Sequence, residues 1–197
     1  MQPANERDGG PAPYWRDQLI RHLDDLRTAS YEGTKARAER ESVFRTAVEL
    51  VSGTVLAALQ AVNVMMLDDH GTVVFTGVTP DGDEGLAATW ELSWPEQQTS
   101  PGRKQPGPVL PVRVRAIFPR GWTHGHLRGQ RLGNWPLQVT TADDVPALEP
   151  VIGAIIAAEL HEVIYESAST WQVVVGYLQK AGDLGDQRLA DQETPGS

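Results

Sequence analysis

Five side chains stand out for the chemistry their types and spacing allow. Glu159 falls near the middle of an apolar helical stripe made by Ile152, Ile155, Ile156 and Val163. A carboxylate in that place is costly to bury unless it is paired. It reads either as a general base or ligand with a perturbed pKa, or as half of a structural ion pair. The partners expected for it are Arg113, Arg115, His124 or His126. His124 and His126 are two apart in a strand-like segment, so they share a face. With Glu159, or with Asp68 and His70, they would suit zinc, manganese or iron. No complete ligand set can be named, so no metal is assigned and the cofactor is left open. Arg113 and Arg115 share another strand face, with Trp122 and Arg128 close behind in sequence. Arginines beside aromatics suit a phosphate, a carboxylate ligand or single-stranded nucleic acid.

Charge along the chain sharpens that last reading. The 197 residues carry 17 Lys/Arg against 26 Asp/Glu, a formal net charge of −9. Yet residues 97–141 hold seven basic groups (Arg103, Lys104, Arg113, Arg115, Arg120, Arg128, Arg131) and no acid. The flanking stretches 61–96 and 142–197 are strongly acidic, so cross-strand pairing would neutralise much of the basic segment. What is left over favours a small anionic ligand or an acidic protein partner. Nucleic acid is unlikely for a chain with pI near 5.0.

Several reaction classes have no foothold. There is no cysteine, which removes thiolate nucleophiles, disulfides and thiolate metal sites. No GxGxxG, GxxxxGK[ST] or GxSxG pattern occurs, and His161-Glu162 lacks the second histidine of HExxH. Asp81-Gly-Asp-Glu is a fragment of a calcium loop without its full ligand series, and reads better as a hairpin turn. No continuous apolar run of about 18 residues occurs, so no membrane span is expected. The polar N-terminus lacks the layout of a secretory signal, which points to the cytoplasm. The predominance of arginine over lysine, with abundant Ala, Gly and Pro, suggests a bacterial source.

The elements that must position these groups follow from periodicity. Residues 1–13 read as a disordered leader and 14–62 as a helical arm, either bent at Gly33 into a hairpin, the preferred reading, or running through as one long helix. Its first helix presents Trp15, Leu19, Leu23 and Leu26, to pack on the body or on a second copy. Residues 63–180 form the main domain. Val64–Met66 is expected as a strand, followed by Thr72–Val78. In the next strand Ala88, Trp90, Leu92 and Trp94 alternate with polar residues. Val112–Ala116, Trp122–Arg128 and Trp135–Thr140 continue an antiparallel meander of about six strands. Thr141 with Asp143 and Asp144 opens a long C-terminal helix, packed on one sheet face. Trp171–Tyr177 reads as one more strand and residues 181–197 as a disordered tail. The fold class is α+β. The first functional reading is a bacterial accessory or protein-binding module, homo-oligomeric or part of an assembly. The alternative is an enzyme or anionic-ligand-binding protein, with a pocket between the sheet and the C-terminal helix.

Overall fold

The computed structural model describes residues 14–82, 85–98, 110–130 and 133–167. Among them are three α-helices and one five-stranded sheet, in the α+β arrangement expected. Helix α1, Tyr14–Thr28, ends in a tight reversal. Tyr31 and Thr34 exchange backbone hydrogen bonds across Glu32 and Gly33, both with positive φ (47° and 81°). A two-residue turn with positive φ at both centres suits glycine at one of them. The bend at Gly33 is therefore real.

Helix α2, Arg37–Leu67, buries Phe44, Ala47, Val48, Val51, Val55, Leu59, Asn63 and Leu67, a stripe along one helix face. It is longer than the sequence suggests, and the strand expected at Val64–Met66 is its last turn. Asn63 explains the difference. It sits in the apolar stripe and breaks the pattern, but its buried amide is fully used. Its Nδ2 donates to Asp69 Oδ1 at 2.9 Å and to the Gly71 carbonyl at 3.2 Å, and its Oδ1 accepts from Gly71 N–H at 2.7 Å. Asp68 then caps the helix in the left-handed region. By length and composition α2 would also suffice to cross a membrane. The window lacks a continuous apolar run because Ala, Gly, Ser and Thr interleave it, and Glu49 is its only charge from Thr46 onward. Its apolar stripe lies on the sheet.

The strands are β1 (Thr72–Asp81), β2 (Gly85–Ser93), β3 (Val112–Phe118), β4 (His126–Arg128) and β5 (Trp135–Pro136). They pair antiparallel in the order β1-β2-β3-β4-β5, a simple meander. The count is five rather than six, and β4 and β5 are shorter than the alternation suggested. The segment Trp171–Tyr177 lies outside the described residues. Ala88, Trp90 and Leu92 of β2 and Val112, Val114, Ala116 and Phe118 of β3 point to one face, which α2 and α3 cover together. Trp90 Nε1 donates to Ser52 Oγ of α2 at 3.0 Å, so the largest core side chain keeps its polar atom satisfied.

Helix α3, Glu149–Ser167, packs on the same face through Val151, Ile152, Ile155, Ile156 and Val163. A 3₁₀ turn, Ala142–Leu148, leads into it. Asp144 holds the start of that turn, accepting hydrogen bonds from the backbone N–H and hydroxyl of both Thr140 and Thr141.

Candidate functional site

The face of the sheet away from α2 and α3 carries the groups most exposed to a ligand. Strand register aligns them in rows. Thr76, Thr89, Arg115 and Arg128 lie side by side across β1 to β4, and Glu91 pairs with Arg113 in the neighbouring row. A groove of about 490 Å³ opens over these six residues. That is within the size range of small-molecule sites, roughly 300–1,000 Å³. Three guanidinium groups and one carboxylate leave the lining with a surplus of positive charge, in a protein whose net charge is −9.

The three arginines are held differently. Arg113 Nε donates to Glu91 Oε2 at 2.5 Å, and Arg115 Nη2 to Asp81 Oδ2 at 3.0 Å. Both pairs are partly solvated and contribute at most about 1 kcal/mol each. Arg128 has no carboxylate partner among the described residues. Its guanidinium is fixed by the carbonyls of Gly129 (3.0 Å) and Gln130 (3.3 Å), which orient it without cancelling its charge. Arg115 and Arg128 also stand directly opposite each other, a like-charge pair that is unfavourable by itself.

Glu159 is elsewhere. It is 3% exposed and lies on the core side, packed against Gly129, where a side chain in place of the glycine hydrogen would collide with it. Arg113 and Arg115 point from the opposite face. Strand parity separates them from Glu159: Val112 and Val114 are buried under the helices, so their odd-numbered neighbours face away. Around Glu159 the buried side chains of α3, Ile152, Ile155, Ile156 and Val163, are apolar, and the groove over Arg113, Arg115 and Arg128 opens on the other side of the sheet.

His124 and His126 do share a neighbourhood, with ring centroids 4.6 Å apart. The third member of their cluster is His22 of α1, 4.4 Å from His124 and 6.0 Å from His126. Helix α2 sets the loop that carries the pair. Arg37 donates to the carbonyls of Phe118 and Pro119, and Arg40 to that of Thr123. Burial, reinforced by the neighbouring imidazoles, pushes His124 and His126 down to about 4. Burial also lowers His22, against the opposing charge of Asp25. Burial thus disfavours the charged form of all three rings.

Helix α1 reaches this position with an inverted face. Gln18, His22 and Asp25 turn toward the body, while Leu23 and Leu26 are each 50% exposed. Trp135 Nε1 donates to Gln18 Oε1 (2.9 Å) and Gln138 Nε2 to Asp25 Oδ2 (3.0 Å). Arg21 bridges Glu32 (2.8 Å) and Asp144 (3.0 Å). Periodicity assigned the leucine stripe to the interface and so passed over His22. The polar stripe 18-22-25, spaced four and three, was the available signal.

The Asp144 contacts make a pH prediction. Burial opposes its charge, but the amide groups of Thr140 and Thr141 and the Arg21 guanidinium outweigh that and hold it down at about 2. A folded-state value below the ordinary 3.8 stabilises the fold above that pH, and the contribution is lost as pH falls toward 2. Thermal melts between pH 5 and pH 2 are expected to fall less steeply in Asp144→Asn, which starts from a lower plateau. Parallel curves would show that Asp144 contributes nothing. Comparison with family models, with curated proteins and with solved structures returns no match to this chain.

Proposed function

We propose that the protein binds a small oxyanionic ligand, of the phosphate or carboxylate class, in the groove lined by Arg113, Arg115 and Arg128. The observation that carries the reading is Arg128, fixed by two carbonyls and without a counter-charge among the described residues, directly across from Arg115. Guanidinium forks match the oxygen spacing of phosphates and carboxylates, and a bound anion would relieve the repulsion between the two strands. Thr76 and Thr89 add neutral hydrogen-bonding groups on the β1 side of the groove.

Isothermal titration of the full chain with inorganic phosphate and with succinate tests the reading. One-to-one saturable binding of at least one probe, weakening as salt rises, is the expected result. Heats that do not saturate for either probe would contradict it. A second reading, self-association of the chain, is favoured by the outward apolar face of α1, where Ile20 is 45% exposed beside Leu23 and Leu26. Native mass spectrometry decides it: a dimer supports association, and a monomer at tens of micromolar removes it.

A further inference from the structure

We propose that His22, His124 and His126 form a binding site for a first-row divalent ion of the zinc class, and that the ion fastens α1 to the sheet. The three side chains come from segments about a hundred residues apart, and one ligand nitrogen from each can be chosen so that all lie within 4.8 Å of one another. A tetrahedral zinc ion with Zn–N of about 2.0–2.1 Å needs nitrogens about 3.4 Å apart. Small rotations of the imidazoles would close that difference.

The second observation is independent of the spacing. Nδ1 of His22 and both ring nitrogens of His124 are buried and have no hydrogen-bond partner among the described residues. His124 itself is only 2% exposed. Leaving a buried polar atom unpaired costs roughly 1–3 kcal/mol, and three such atoms in one cluster is an expensive arrangement. Coordination satisfies one lone pair on each ring with a single ion. A neutral imidazole is the form that ligates.

The donor set selects the class of ion. Three imidazoles without a carboxylate suit zinc, cobalt, nickel or copper, and disfavour magnesium and calcium, which take oxygen ligands. Three protein ligands leave a coordination position for water. The rings are also mounted to hold their places: Trp122 packs edge-on against His126, and Tyr31 lies beside His124. The consequence for the fold follows from how α1 is attached. Its described contacts with the body are mainly polar, and Leu23 and Leu26 add little burial, so the helix is weakly held without a cross-link. An ion shared between residue 22 and residues 124 and 126 would supply one.

The test uses untagged full-length protein stripped with a chelator, then titrated with Zn²⁺ by calorimetry and with Co²⁺ by visible absorption. One equivalent of Zn²⁺ is expected, together with the intense visible bands of tetrahedral cobalt. At about a thousandfold excess over Kd, the melting temperature should rise by on the order of 10 °C. His124→Gln and His22→Gln should each abolish the cobalt bands, and His22→Gln keeps the test valid if the His124 variant does not fold. His161→Gln, on an exposed position of α3, should leave stoichiometry and affinity unchanged. Absence of stoichiometric binding, or wild-type affinity in His22→Gln, would overturn the site. Hydrogen exchange in α1 should slow when zinc is added; unchanged exchange with intact binding would overturn the fastening role.

Discussion

Gly125→Ala is expected to destabilise the protein by about 1–3 kcal/mol and to disturb the histidine pair on either side of it. The φ of Gly125 lies outside the left-handed region, so room rather than conformation decides the outcome. A Cβ built there would stand 2.5 Å from Cδ2 of Phe44 and 3.2 Å from the Tyr31 hydroxyl, both fully buried. Neither neighbour yields easily. Phe44 packs on Phe118 in the centre of the α2 interface, and the Tyr31 hydroxyl donates to the Leu137 carbonyl. The backbone of Gly125 is also pinned, because its carbonyl accepts from Leu137 N–H at 2.9 Å. The collision must therefore be relieved by moving the β3–β4 connection, which carries His124 and leads into His126 at the start of β4. Phe44→Leu in the same chain should recover part of the loss. Chemical denaturation of the two single variants and the double variant measures this. Strict additivity in that cycle would show that the glycine does not press on Phe44.

Arg128→Gln is expected to weaken oxyanion binding by about 10- to 150-fold, the range of one or two charge-assisted hydrogen bonds worth roughly 1.5–3 kcal/mol. Its effect on stability should be small. Among the described residues Arg128 hydrogen-bonds to neighbouring carbonyls of its own segment, and removing it relieves the repulsion with Arg115. Thermal melts are expected to be flat or slightly raised while calorimetric affinity collapses. A variant that binds phosphate as the wild type does would remove Arg128 from the site. Arg113→Gln is the useful contrast: Glu91 already holds that guanidinium at 2.5 Å, so its loss should weaken binding less.

Much of the fold was legible in the sequence because period and punctuation agreed. Ala88, Trp90 and Leu92 alternate cleanly, Gly33 marks the one reversal between α1 and α2, and the acids at 143–144 mark the approach to α3. Failures came where a polar side chain is buried for its hydrogen bonds. Asn63 interrupts the stripe of α2, so the last helical turn read as a strand. Gln18, His22 and Asp25 face the body from α1, so the leucine stripe does not mark the face that meets the body, and it hid the third histidine. The site was half legible. Arg113 and Arg115 were identifiable from an acid-free stretch, and the period-two rule already excluded their meeting Glu159 beneath α3. Arg128 could be ranked only once the register placed it opposite Arg115, which is tertiary information. Strand lengths in β4 and β5 were overestimated because loop backbone there is held by Arg37, Arg40 and the Gly125–Leu137 hydrogen bond rather than by ladder pairing.

The most direct measurement of the anion-binding claim is ¹H–¹⁵N NMR of the arginine side chains during a phosphate titration at fixed ionic strength. The Nε–H signals of Arg115 and Arg128 should move together along one saturable curve, while that of Arg37, clamped on the carbonyls of Phe118 and Pro119, stays still. Uniform, non-saturating drift of all arginine signals would contradict the claim and return the groove to an ordinary solvated sheet face.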